Sequence, residues 1–213
     1  AGMAQVLSSY YNKESGNVAG IIKSAHGGTS LLDAIGGQNE PGGNWVSPSY
    51  EAALGTVQEK DGRTGGCYRS FIAQVRLNIS QLQKMGYTKF NFKGLFWMQG
   101  ESDRQDVNVA TYTDLFATLA ADMRNDFAGV FDSETANAPV LVGEISKGFD
   151  NAINTTNLSF VELQRGLAEK VSDTYMIHSS EYISGTRADD AYHWTCEDML
   201  QIGLAVGRQF LTL

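Results

Sequence analysis

Asp190 and His193 stand three positions apart in the polar run Asp189-Asp190-Ala191-Tyr192-His193-Trp194-Thr195. Across a turn, that spacing lets a carboxylate accept the imidazole Nδ1–H and fix the tautomer. Nε2 is then left to take a proton from a nucleophile. A second polar turn, Gln99-Gly100-Glu101-Ser102-Asp103, ends the apolar run Phe90 to Met98. Gln99 can donate an amide hydrogen bond toward a developing oxyanion, and Gly100 leaves room for the approach. Glu101 is expected behind them as a buried, hydrogen-bonded brace. Ser102 and Asp103 also have the blander use of capping the next segment. A third turn, His26-Gly27-Gly28-Thr29-Ser30, offers the backbone N–H groups of Gly27 and Gly28 as oxyanion donors, although paired glycines are more often simple tight turns. The chemistry these three turns share is hydrolysis.

Their placement follows from the elements around them. Met3 to Tyr11 has helical character, and Val18 to Ile22 reads as a short buried strand ending at the Gly27-Gly28 turn. Apolar residues at helical spacing mark Phe71 to Leu82, Tyr112 to Met123, about Leu158 to Val171, and Met199 to Phe210. The runs Phe90 to Met98, Pro139 to Ile145 and Thr174 to His178 read as strands between them. Alternating strand and helix predicts one α/β domain over residues 1–213 with a mainly parallel sheet. In such a fold, residues just past the carboxyl end of a strand line the ligand-binding edge. Gly36 to Gly66, rich in Gly, Asn, Pro and Ser, reads as a long loop. Trp45 and Tyr50 on it are candidates for stacking on a sugar ring, or for an aromatic plug beneath the loop.

Composition excludes several classes. With 16 Lys+Arg against 24 Asp+Glu the net charge is −8, the wrong sign for nucleic acid or an anionic membrane surface. A neutral or weakly charged substrate fits better. No apolar run is long enough to span a bilayer. Cys67 and Cys196 are too few for a disulfide scaffold, so two buried thiols are preferred to one long-range bridge. His26, His178 and His193 lack His-x-x-x-His spacing and argue poorly for zinc. Gly27-Gly28 has neither a dinucleotide fingerprint nor a phosphate-loop lysine. No cofactor is expected.

Taken in order, Gly27-Gly28-Thr29-Ser30, Trp97-Met98-Gln99-Gly100-Glu101-Ser102-Asp103 and Asp190-Ala191-Tyr192-His193 resemble three blocks of the carbohydrate acetylesterase branch of the SGNH hydrolases. That branch includes acetylxylan esterases and sialate O-acetylesterases. Gly66-Cys67-Tyr68, leading into a helix, is similar as well. The resemblance implies a flavodoxin-like three-layer α/β/α sandwich, a Ser-His-Asp mechanism without metal, and an acetylated carbohydrate as substrate. His193 would be the base and Asp190 its orienting carboxylate, with Asp189 as substitute only if the turn is shifted. Gly27, Gly28 and Gln99 would supply oxyanion donors, and an extracytoplasmic location is favoured.

Members of that branch carry the nucleophilic serine in a Gly-Gln-Ser-Asn block at the end of the first strand, and the chain has no such block. Three expectations follow: an N-terminal segment, separate or cleaved, supplies strand and serine; another serine substitutes; or the chain is inactive. Ser30 is the leading substitute, ahead of Ser24, Ser47 and Ser102. Two other classes stand beside the esterase reading. One is a non-catalytic carbohydrate-binding module using Trp45, Tyr50 and Tyr192. The other is a glycosidase pairing Glu101 with Asp103 or Asp190.

Overall fold

The computed structural model describes residues 1–13, 16–31, 43–54, 64–104, 109–146, 155–182 and 193–213. Seven helices are defined there: α1 (Gly2–Tyr11), α2 (Pro48–Leu54), α3 (Gly66–Lys84), α4 (Val109–Phe127), α5 (Thr155–Arg165), α6 (Leu167–Lys170) and α7 (Cys196–Phe210). Three strands, β1 (Leu95–Met98), β2 (Val140–Gly143) and β3 (Thr174–Ile177), pair in that order and all in parallel. The fold is α/β, as the alternation predicts. Parallel neighbours need crossover connections, and helices occupy the intervals between these strands. Among the described residues no helix is long and apolar enough to cross a membrane.

The described residues form two compact units. One comprises Ala1–Ile21, Lys93–Gln99 and Pro139–Leu213, and the other Ile22–Phe92 and Gly100–Ala138.

The first unit holds the sheet. Phe96, Leu141 and Tyr175 share one register row, and Met98 and Ile177 lie two positions further along, so period-two alternation turns all five to one face. α7 covers that face. Its Ile202 and Val206 join Leu141 and Ile177 in a buried cluster, with Met3, Trp194 and Phe210 packed around it. Burying a side chain of this size stabilises by about 1.5–3 kcal/mol. α1 lies on α7 through glycine: a Cβ at Gly203 would come within 3.0 Å of the Met3 nitrogen, and one at Gly207 within 2.8 Å of Val6 Cβ.

The second unit is built on α3 and α4. Tyr68, Ile72, Val75 and Ile79 are buried along α3, and Tyr112, Leu115, Phe116, Leu119 and Met123 along α4, each at three- and four-residue spacing. The Tyr68 hydroxyl donates to Asp126 at 2.7 Å, tying the helices together. Burial, and then that bond, push the Tyr68 phenol well above its ordinary value.

Four expectations change. Val18 to Ile22 has no regular secondary structure and pairs with no strand among the described residues, and Val18 is 61% exposed, because an apolar run becomes a strand only where a partner edge accepts its ladder. Pairing in the run from Phe90 begins only at Leu95: the Phe90 and Phe92 N–H groups donate instead to Asp132 and Ser133, and Gly94 turns the chain with φ +134°. The region read as one loop from Gly36 to Gly66 contains α2, whose Ser49 N–H and hydroxyl both donate to Asp122, at 2.8 and 2.6 Å. Residues 32–42 and 55–63 lie outside the described set. The helix expected from about Leu158 to Val171 is two helices, divided at Gly166.

Candidate active site at the carboxyl edge of the sheet

Met98, Gly143 and Ile177 end the strands in one register row, so the next residues, Gln99, Glu144 and His178, stand side by side along the carboxyl edge. Strands lie about 4.8 Å apart, which puts Gln99 and His178 roughly 10 Å from one another with Glu144 between.

Gln99 is buried, and its backbone carbonyl accepts a 3.1 Å bond from the side-chain amide of Gln164. The same amide accepts the Ile145 N–H through its oxygen at 2.9 Å. The two ends of Gln164 face a backbone acceptor and a backbone donor, so its orientation is fixed. Being fully buried on α5, it sets the separation between the ends of β1 and β2. Gln164→Leu is therefore expected to cost about 1–3 kcal/mol for each orphaned backbone group, read as a lower urea midpoint.

Glu144 is 0% exposed and makes the densest polar network of the edge. Arg165 Nε donates to it at 2.8 Å and His178 Nδ1 meets it at 2.7 Å. Ser180 gives both its N–H, at 3.4 Å, and its hydroxyl. The Ser179 hydroxyl donates to the Glu144 backbone carbonyl at 2.7 Å, locking the 3-10 turn Ser179–Glu181 against β2. Burial alone would raise the Glu144 carboxyl, but the bonds from Arg165, Ser180 and His178 outweigh it and hold the group below its ordinary value. An ionised carboxylate only accepts, so His178 carries its hydrogen on Nδ1.

His193 lies three residues before α7. The Phe210 ring, in the last turn of that helix, lies where a Cβ at Gly94 would be 2.7 Å away, just before β1 begins. α7 thus runs antiparallel to the strands. Thr195 caps it reciprocally: its hydroxyl accepts from Asp198 N–H at 3.1 Å, and the Asp198 carboxylate accepts from Thr195 N–H at 3.0 Å. Trp194 is anchored on the buried cluster and His193 is exposed. Asp189, Asp190 and Tyr192 lie outside the described residues.

The remaining candidates belong to the second unit. Gly28 turns the chain with φ +71°, in the left-handed region that favours glycine. The turn is braced by Asp103, whose carboxylate accepts the Leu31 N–H at 3.1 and 3.2 Å. Asp103 is 1% exposed whereas Glu101 is partly buried, so the buried brace expected at Glu101 is Asp103. Trp45 is 6% exposed, donates through Nε1 to the Thr29 hydroxyl at 3.1 Å, and packs against His26 and Phe71. It is the aromatic plug rather than a sugar platform. Tyr50 is half-buried on α2. Ser30 is 1% exposed, its carbonyl accepting from Trp45 N–H. Ser24, by contrast, is half-buried and lies 3.2 Å from His26 Nε2. Cys67 is buried and Cys196 exposed, with no disulfide between them, so the expected pair of buried thiols holds for one. Among the described residues no group of His, Cys, Asp or Glu could hold a metal ion.

Sequence reasoning gave no role to Glu144 or the Thr195 cap and weighed His178 only as a zinc ligand. The signals were present: an acid ending the apolar run Val140 to Gly143, a histidine ending the next strand, and a Thr-x-x-Asp capping pattern.

The model of a family described as carbohydrate esterase, sialic acid-specific acetylesterase, matches residues 2–212, and the chain belongs to that family. A solved protein from Arabidopsis thaliana is similar in fold, with a TM-score of 0.51 and 21% identity over 68% of this chain. That match spans 52% of the Arabidopsis chain, about half its length. Est24, a carbohydrate acetylesterase from Sinorhizobium meliloti, aligns at TM-score 0.45 and 14% identity over 72% of this chain and 71% of its own. No curated protein sequence matches.

Proposed function

We propose that this chain carries the base and oxyanion machinery of a carbohydrate O-acetylesterase of the Ser-His-Asp type. A serine hydroxyl, deprotonated by His193 Nε2, attacks the acetyl carbonyl. Asp190 orients the imidazole, and the Gln99 amide with the Gly27 and Gly28 N–H groups steadies the oxyanion. As the ester C–O bond breaks, the imidazolium returns its proton to the departing sugar hydroxyl. Water then releases acetate from the acetyl-serine by the same route.

The observation that carries the reading is the family match from residue 2 to 212, and the place of Gln99 just past the end of β1 supports it. The net charge of −8 favours a neutral sugar as the substrate.

The nucleophile is open to direct test. The chain, and any longer encoded form, would be treated with an alkyl fluorophosphonate, digested and mapped by mass spectrometry, beside an assay of acetate release from acetylated xylo-oligosaccharides. An adduct on an upstream serine assigns the reaction to a strand outside these residues. An adduct on Ser24 assigns it to the serine already touching His26. Saturable glycan binding with neither adduct nor acetate would replace the esterase by a binding module.

A further inference from the structure

His178 has no part in the mechanism above, yet it is built as a proton-accepting group. Its Nδ1–H is committed to Glu144, and Glu144 is held ionised by Arg165 and Ser180. The ring therefore presents the Nε2 lone pair, and the side chain is 51% exposed. Among the described residues the only polar partner of the His178 side chain is Glu144.

Its place in the sheet says what it can reach. Standing two strands from Gln99, it lies too far to share one acyl carbon with that residue, but at a distance that a sugar ring with its substituents can bridge. The span is rigid, because Gln164 ties the Gln99 carbonyl to the Ile145 N–H beside Glu144.

We propose that His178, oriented by Glu144, is a second substrate-contacting residue, accepting at Nε2 a hydrogen bond from a free hydroxyl of the carbohydrate next to the acetylated position. The inference rests on the carbohydrate reading of the edge. It assigns His178 to recognition of the sugar and leaves acyl transfer to other groups.

The test separates those roles. His178→Phe keeps a planar ring and removes both nitrogens at a half-exposed position, so the fold is retained. It is expected to raise KM for acetylated xylotriose about five- to tenfold, the loss of one ligand hydrogen bond, with kcat/KM for an aryl acetate within about twofold. An equal fall on both substrates, or no change on either, overturns the proposal.

A binding measurement keeps it independent of turnover. The chain has three histidines, so long-range 1H–15N spectra resolve each imidazole. The Nε2 resonance of His178 is expected to move saturably with xylotriose. Acetate release with a silent His178 would sink this inference and leave the esterase reading standing. A responsive His178 in a chain that releases no acetate would do the reverse.

Discussion

Replacing His193 by alanine is expected to lower kcat/KM for an aryl acetate by roughly 10²–10⁴-fold, the usual contribution of a positioned general base. The side chain is exposed, and the residues that follow it are held by Trp194, packed on the buried cluster, and by the Thr195–Asp198 cap. The variant should therefore melt as the parent does, which makes the loss chemical rather than structural. The assay belongs in the longest encoded form that turns over the substrate. Undiminished turnover with an unchanged melt would remove His193 from the mechanism.

The second large effect is on stability. Glu144→Ala is expected to cost about 3–5 kcal/mol, since it strips the acceptor from Arg165 and His178 where the carboxylate is fully buried. Natural domains hold only about 5–15 kcal/mol in total, so the variant should be marginal at room temperature. The sign with pH follows from the lowered carboxyl. Its folded value lies below an unfolded value near about 4.3, so the contribution is complete above that value and is lost as pH falls through the folded one. Urea midpoints of parent and Glu144→Gln should thus differ most near neutrality and converge as pH falls through the folded value. A gap that persisted in acid would show that the charge of Glu144 is not what holds the network.

The two residues behind these predictions were not equally legible. His193 stood out because histidine is scarce and its neighbours include an aspartate three positions earlier. Glu144 sits in an apolar run and was read simply as part of a strand. Its partners are 21 residues away at Arg165 and 34 and 36 away at His178 and Ser180, separations that no local pattern connects. The same limit explains Trp45. A tryptophan in a Gly-rich stretch suits a sugar platform and a core plug equally well, and only its contacts with Thr29, His26 and Phe71 distinguish them. Glu101 and Asp103 likewise are two acids in one turn, and only the bonds that Asp103 accepts from the distant Leu31 N–H show which points inward.

Periodicity of the side chains was enough for the α/β class, for the approximate positions of most helices and strands, and for the polar turn that begins at Gln99. Those properties depend on residues a few positions apart, where backbone geometry dictates which side chains share a face. Tertiary structure alone decided that Val18 to Ile22 pairs with nothing described, that Asp103 rather than Glu101 is the buried brace, and that Glu144 holds His178 by one nitrogen. Each of those outcomes turns on whether a distant group arrives to accept or donate a hydrogen bond, and that is settled only when the chain packs.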